Sequence, residues 1–213
     1  PTMTSALPTK WIGMARDLAT IPRWGGVAAG ARLSLTKKLP IASGIGGGSA
    51  DAAAALRLLT SFWAIDPSHA TAVAPRLGSD VPACLLSMTA RGSGAGDQLT
   101  LFDDPSIAGT PLLLVNPGPQ LSTAEVCAAW DGVDRGALDA WREGRNDLEP
   151  AARTLALAIG EVIDWLQAQE GTNFVRMSGS GATCFALFDS EQARDAAAAA
   201  CPSQWWHLAS FLR

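Results

Sequence analysis

Residues 39–53 read L-P-I-A-S-G-I-G-G-G-S-A-D-A-A, and the interpretation of the whole chain turns on them. Upstream, Ala31 to Leu39 alternates, with Ala31, Leu33 and Leu35 on one side and Arg32, Ser34 and Thr36 on the other, which predicts a half-buried strand. Downstream, Ser49 to Trp63 has the alanine and leucine content of a buried helix. The order is therefore strand, glycine loop, helix. Successive glycines let backbone N–H groups turn inward without side-chain obstruction, and the helix start adds unpaired N–H groups and the positive end of its dipole. Such a loop can cradle a phosphate; read alone, it is also a turn whose glycines serve packing. It is not a Walker A loop, because no lysine closes it, and Asp66 follows a helix where a dinucleotide loop needs an acidic residue after the next strand.

Working outward, Thr9 to Leu18 suits a short amphipathic helix that Pro22 and Gly25-Gly26 interrupt. After the loop, helices are expected over Ser68 to Leu77, briefly from Ser79 to Pro82 onward, and over Ser122 to Trp130, Gly136 to Glu143 and Leu148 to Gln169, the last broken near Gly160. Extended pieces are expected within Ala90 to Leu101 and at Pro111 to Asn116. The end reads as strand (Phe174 to Met177), glycine turn, strand (Thr183 to Phe188), helix (Glu191 to Ala200) and strand (Trp205 to Phe211). The closing hairpin favours an antiparallel α+β layer over a doubly wound sheet. A domain boundary is expected near residues 105 to 110, at Asp103-Asp104-Pro105.

Two further places carry chemistry-bearing residues. Asp80, in Gly78-Ser79-Asp80-Val81-Pro82, reads alone as a helix N-cap, because its carboxylate can accept from first-turn N–H groups. Beside a nucleotide's phosphates it would instead accept the proton of an attacking hydroxyl. Met177-Ser178-Gly179-Ser180-Gly181-Ala182 is a small-residue turn between strands, able to lie against a ligand or another loop. It lacks the G-x-S-x-G order of a nucleophile elbow, and His69 and His207 sit in contexts that suit no hydrolase triad.

Composition narrows the remaining classes. The 213 residues are 48% hydrophobic, enough for a real core, and 16 basic against 20 acidic side chains give a net charge of −4. That argues against electrostatic capture of nucleic acid, which needs a basic face. No apolar run approaches the about 20 residues that cross a bilayer, and no signal peptide opens the chain, so a cytoplasmic protein without nucleic-acid or membrane partners is expected. Cys84, Cys127, Cys184 and Cys201 are widely spaced and read as reduced thiols, not metal ligands. The only lysines are Lys10, Lys37 and Lys38.

In this order the glycine loop, the Gly78 to Pro82 segment and the Met177 to Phe188 block resemble the GHMP kinases, the superfamily of galactose, homoserine, mevalonate and phosphomevalonate kinases. The triple glycine Gly46 to Gly48 and the Asn146-Asp147 pair are most similar to the branch that phosphorylates 4-diphosphocytidyl-2-C-methyl-D-erythritol, rather than to the homoserine or mevalonate types. Asn116-Pro117-Gly118, Ser122-Thr123 and Asn146-Asp147-Leu148-Glu149 resemble secondary blocks of that branch. The resemblance implies an α+β GHMP kinase fold. Residues 1–108 would form a partial N-terminal, S5-like ATP-binding domain and residues 109–213 a C-terminal ferredoxin-like α/β sandwich.

It also implies transfer of the γ-phosphoryl group of ATP, with Mg²⁺, to the 2-hydroxyl of that small-molecule substrate in the non-mevalonate isoprenoid pathway. Pro40, Ile41, Ala42, Ser43, Gly44, Ile45, Gly46, Gly47, Gly48, Ser49 and Ala50 would bind the nucleotide. Asp80 would be the catalytic base, and Gly179, Ser180 and Gly181 would close over the loop. Ser49 is the candidate metal contact. In the family a longer stretch precedes the loop, carrying an A-K-x-N-L lysine and a G-Y-H-x-L substrate segment, whereas Pro40 here follows 39 residues. The expectation is a kinase polypeptide lacking its N-terminal part, its first strands included; the alternative from another class is a non-catalytic nucleotide-binding remnant.

Overall fold

The computed structural model describes residues 31–213 apart from 32, 42, 95, 97 and 139 and the side chain of 143. The helix expected over Thr9 to Leu18, Lys10 and the Ala42 position lie outside the described residues. The chain divides into two compact units. One holds Gly46–Asp103 with the described residues up to Lys37; the other holds Lys38–Ile45 with Asp104–Arg213. Residues 38–45 thus group with the C-terminal half rather than with the sequence before Asp103.

In the first unit, helix α1 (Gly47–Phe62) packs on α2 (Ser68–Leu77) and on the short α3 (Val81–Leu86). The alanines explain the close packing: Ala52, Ala53 and Ala55 are buried beside Leu56 and Leu59, and meet Ala70, Val73, Ala74 and Val81 in one cluster. Small side chains let helix backbones approach, so a few large residues suffice to fill the space. Arg57 fastens the far end of α3 by donating to the carbonyls of Cys84 (2.9 Å) and Leu85 (3.3 Å), which satisfies acceptors that a helix end leaves unpaired. A hairpin of β1 (Ala90–Ser93) and β2 (Gln98–Leu101) follows, with Ala90 opposite Leu101.

The second unit is a four-stranded antiparallel sheet of β3 (Pro111–Asn116), β4 (Thr172–Met177), β5 (Cys184–Phe188) and β6 (Trp206–Phe211), in the order β4-β5-β3-β6. Helices α4 (Thr123–Ala129) and α5 (Glu149–Leu155) lie along the chain between β3 and β4, followed by α6 (Ala158–Gln167); α7 (Glu191–Ala200) joins β5 to β6. Leu113, Val115, Cys184, Ala186 and Phe188 alternate along the two central strands and bury against Ile159, Val162, Leu166 and Ala197 of α6 and α7. This α+β sandwich has the antiparallel layer that the closing hairpin predicts. No helix among the described residues is long and apolar enough to cross a membrane.

Three local expectations are corrected. Residues 33–38 form no strand: Leu33 and Leu35 are about half exposed, and no described strand pairs with them. Alternation marks a face, but a strand also needs a partner to take its ladder hydrogen bonds. Gly136 to Glu143 is mostly irregular, with only a 3₁₀ turn at Trp141–Glu143. There the Gly136 N–H is taken by Asp134 Oδ1 (2.8 Å), its carbonyl accepts from Arg145 where a helix would use it in the ladder, and Trp141 Nε1 donates to Asp104 (3.0 Å), so side-chain bonds both near and far in sequence hold an irregular path. The long helix breaks at Ala156, which is extended (φ −145°, ψ 94°), not at Gly160. Gly160 lies inside α6, where a Cβ would stand 2.9 Å from the Arg153 guanidinium; its missing side chain is where Arg153 lies.

Candidate nucleotide-binding site

The glycine loop enters α1 through Gly46, which takes the left-handed conformation (φ 65°, ψ 14°). The first helical hydrogen bond runs from the Ala50 N–H to the Gly46 carbonyl at 2.8 Å. The N–H groups of Gly47, Gly48 and Ser49 therefore have no acceptor within the helix. No acidic residue occupies this first turn, which leaves the positive end of a sixteen-residue helix uncompensated by a carboxylate there. A Cβ added at Gly48 would meet nothing within 4 Å among the described residues, which leave the space beside that backbone open. Ser49 is buried and Ala50 exposed. Together these are the parts an anion site needs: donors, dipole and room.

One turn further in, Asp51 pairs with Lys37, both side chains about a quarter exposed (24% and 25%). The sequence singled out neither as a site residue. Their separation of fourteen residues gives no periodic signal, although Lys37 is one of only three lysines.

Asp80 stands at the N-terminus of α3, yet its carboxylate makes no capping bond. Among the described residues it accepts a long contact, 3.4 Å from Ser79 Oγ. The capping reading is thereby corrected: Pro82 supplies the pre-set φ, the Asp80 carbonyl accepts from the Cys84 N–H (3.1 Å), and the carboxylate remains exposed to solvent. Its charge reaches Cys84, whose thiol pKa is raised first by burial and then by Asp80.

The other end of the loop is held in the second unit. Ser43 Oγ donates to the Pro40 carbonyl (3.0 Å), the Thr183 N–H donates to the Ser43 carbonyl (3.1 Å), and Ser178 Oγ donates to the Gly44 carbonyl (2.9 Å). Contact is so close that a Cβ on Gly44 (φ 75°) would lie 2.5 Å from the carbonyl oxygens of both Gly181 and Ser178. A Cβ on Gly179 would reach 2.8 Å from the Gly44 oxygen. The Met177 to Ala182 turn is thus a seat for Ser43 and Gly44.

Three separated blocks support that seat. Asn116 Nδ2 donates to Thr183 Oγ1 (2.9 Å), Thr123 Oγ1 and Ser180 Oγ share a hydrogen bond (2.9 Å), and Asn146 Nδ2 donates to the carbonyls of Met177 (2.9 Å) and Gly179 (2.8 Å). The Ser180 hydroxyl is buried in this network. Asn-Pro-Gly and Asn-Asp-Leu mark turns in the sequence, but a turn signal does not say which distant backbone the amide holds. Among the described residues no group of three or more His, Cys, Asp and Glu side chains converges.

The chain is similar to proteins of known kind along most of its length. Residues 11–88 match the family described as GHMP kinases N terminal domain, and residues 128–207 match GHMP kinases C terminal. It is 52% identical over 199 residues to a 4-diphosphocytidyl-2-C-methyl-D-erythritol kinase of Rhizorhabdus wittichii, covering 88% of this chain and 68% of that protein. A second enzyme of that description, from Novosphingobium aromaticivorans, is 48% identical over 206 residues, covering 94% of this chain and 70% of its own length. A crystal structure of 4-(cytidine 5'-diphospho)-2C-methyl-D-erythritol kinase superposes with a TM-score of 0.80 at 30% identity, over 92% of this chain and 76% of that one.

Proposed function

We propose that this chain, which belongs to the 4-diphosphocytidyl-2-C-methyl-D-erythritol kinase family of the GHMP kinases, transfers the γ-phosphoryl group of ATP to the 2-hydroxyl of that cytidyl substrate in isoprenoid biosynthesis, as a cytoplasmic enzyme. The observation that carries the reading is the start of α1: three N–H groups without helical acceptors, no described residue within 4 Å of a Cβ at Gly48, and no carboxylate in the first turn.

Phosphoryl transfer needs little covalent help from a protein; it needs positioning and charge stabilisation. Pro40 to Gly44 take a set shape on the glycine turn, and Gly46 to Ala50 present backbone donors to the β- and γ-phosphates. Asp80 accepts the proton of the attacking hydroxyl. Its carboxylate is suited to that task because it is exposed and not consumed by capping. Residues Gly179, Ser180 and Gly181 act as the seat of the loop rather than through the Ser180 hydroxyl, which Thr123 occupies.

Magnesium fits this site as a companion of the nucleotide. With no carboxylate cage among the described residues, the ion would be held chiefly by phosphates and water, with the Ser49 hydroxyl as protein ligand. It would supply neutralisation of charge on the transferring group.

The test is ADP release from ATP with 4-diphosphocytidyl-2-C-methyl-D-erythritol, homoserine or mevalonate as acceptor, the product followed by phosphorus NMR. Turnover with the cytidyl acceptor and its loss in Asp80→Asn are expected. Turnover with mevalonate or homoserine alone would overturn the substrate assignment, and nucleotide binding without turnover would make the chain a binding remnant.

A further inference from the structure

Asn146 spends all the hydrogen-bonding capacity it shows on backbone. Its Nδ2 donates to the carbonyls of Met177 (2.9 Å) and Gly179 (2.8 Å), and its Oδ1 accepts from the Leu148 N–H (3.0 Å). The two carbonyls flank Ser178, so a single amide brackets the residue whose hydroxyl donates to Gly44. Leu148 is the N-cap of α5, and Leu148 packs against the buried core. The bracket is therefore anchored on a rigid element.

We propose that Asn146 is a positioning residue for the phosphate loop: it holds the 177–179 backbone so that Ser178 fixes Gly44, from which the chain enters the glycine run. Three features support this. Gly179 and Gly181 both have positive φ (54° and 87°), a backbone that would otherwise sample many shapes. The amide can donate twice, which Asp cannot do when ionised. The contact with Gly44 is backbone on backbone, so a shift of the turn passes directly to Gly44.

The role in nucleotide binding rests on the kinase reading; the coupling to Gly44 does not. Asn146→Asp keeps the acceptor for Leu148 and the side-chain shape but removes both donors. Ser178→Ala cuts the next link. Two readouts on the 213-residue chain separate the questions: hydrogen exchange at the Thr183 amide, which donates to the Ser43 carbonyl, and the affinity for a non-hydrolysable ATP analogue by calorimetry. Two lost amide bonds of ordinary strength predict about thirtyfold faster Thr183 exchange in Asn146→Asp and analogue binding weaker by up to about the same factor. Exchange in α6 and α7 should be unchanged, and adding Ser178→Ala should bring little further loss, since both act along one path.

Unchanged Thr183 exchange in Asn146→Asp would overturn the proposal, as would faster exchange spread over α6 and α7, which marks a merely structural role. If Asn146→Asp does not fold, Ser178→Ala is read by the same two measurements, and wild-type exchange at Thr183 would then overturn the link. Faster Thr183 exchange in a chain whose wild type binds no nucleotide would instead uphold the positioning link and overturn the kinase reading.

Discussion

Ser178 and Gly44 touch in two ways at once: the serine hydroxyl donates to the glycine carbonyl at 2.9 Å, and the serine carbonyl lies where a Gly44 Cβ would come to 2.5 Å. The second contact is backbone, which cannot rotate aside. Gly44→Ala adds this clash to the cost of a left-handed backbone (φ 75°), and the expected loss of stability is at least about 2 kcal/mol. Urea unfolding measures it; an unchanged midpoint would mean that the loop is not seated on the turn in solution.

Gly48→Ala should behave in the opposite way. The residue is helical and a Cβ there meets nothing within 4 Å among the described residues, so alanine should stabilise by about 0.5–1 kcal/mol. The same methyl occupies the space offered to phosphate, so ATP affinity should fall. A stabilised variant with undiminished ATP affinity would remove the phosphate from that place.

Asp80→Asn should leave stability within about 0.5 kcal/mol of wild type, because the carboxylate caps no helix N–H. Turnover should drop by about two to four orders of magnitude if the carboxylate takes the hydroxyl proton. Thermal unfolding and steady-state kinetics on one preparation decide it; a large fall in melting temperature would restore the capping role.

Lys37→Met removes the partner of Asp51 while keeping the apolar stem. With both side chains about a quarter exposed, the loss should be no more than about 1 kcal/mol. In 1 M salt, where screening acts over about 3 Å, the difference from wild type should shrink. A salt-independent loss would assign Lys37 a packing role instead.

The buried Cys184 thiol has its pKa pushed up from 9.0 to about 12, chiefly by burial, with Glu149 adding to the shift and Arg153 opposing it. The folded state therefore holds this proton more tightly than the unfolded chain. The stabilising contribution is complete below the unfolded value near 9.0 and is lost as pH rises toward about 12. Cys84 and Cys201 shift the same way, so the diagnostic quantity is the difference between wild type and Cys184→Ala: the urea midpoint of wild type should fall more steeply above pH 9.0. At pH 8 a thiol reagent should modify the exposed Cys127 in the native protein and Cys184 only on unfolding.

Much of the fold was legible because local physics and tertiary packing agree. The Ala-Leu run after Ser49, the small helix led by Pro82, the Asn-Pro-Gly that closes β3 and the Glu191 to Ala200 helix all form where their residues favour them. Expectations failed where contacts outside the periodic pattern decide the outcome. Leu33 and Leu35 alternate but pair with no described strand, and Gly136 to Glu143 loses its helix to bonds from Asp134, Arg145 and Asp104.

The candidate site divides along the same line. The sequence alone determined the chemistry available: a run of glycines before a helix start with no early carboxylate, an aspartate ahead of a proline, and a glycine turn between strands, because these depend on residues adjacent in the chain. Only the tertiary structure decided what each would be used for. It left the Asp80 carboxylate uncapped, enlisted Ser180 in a bond to Thr123, and brought Asn146 onto the turn that seats Gly44. Side-chain donors and acceptors are blind to sequence distance; which of them meet is settled by the packing of the sheet and helices that carry them.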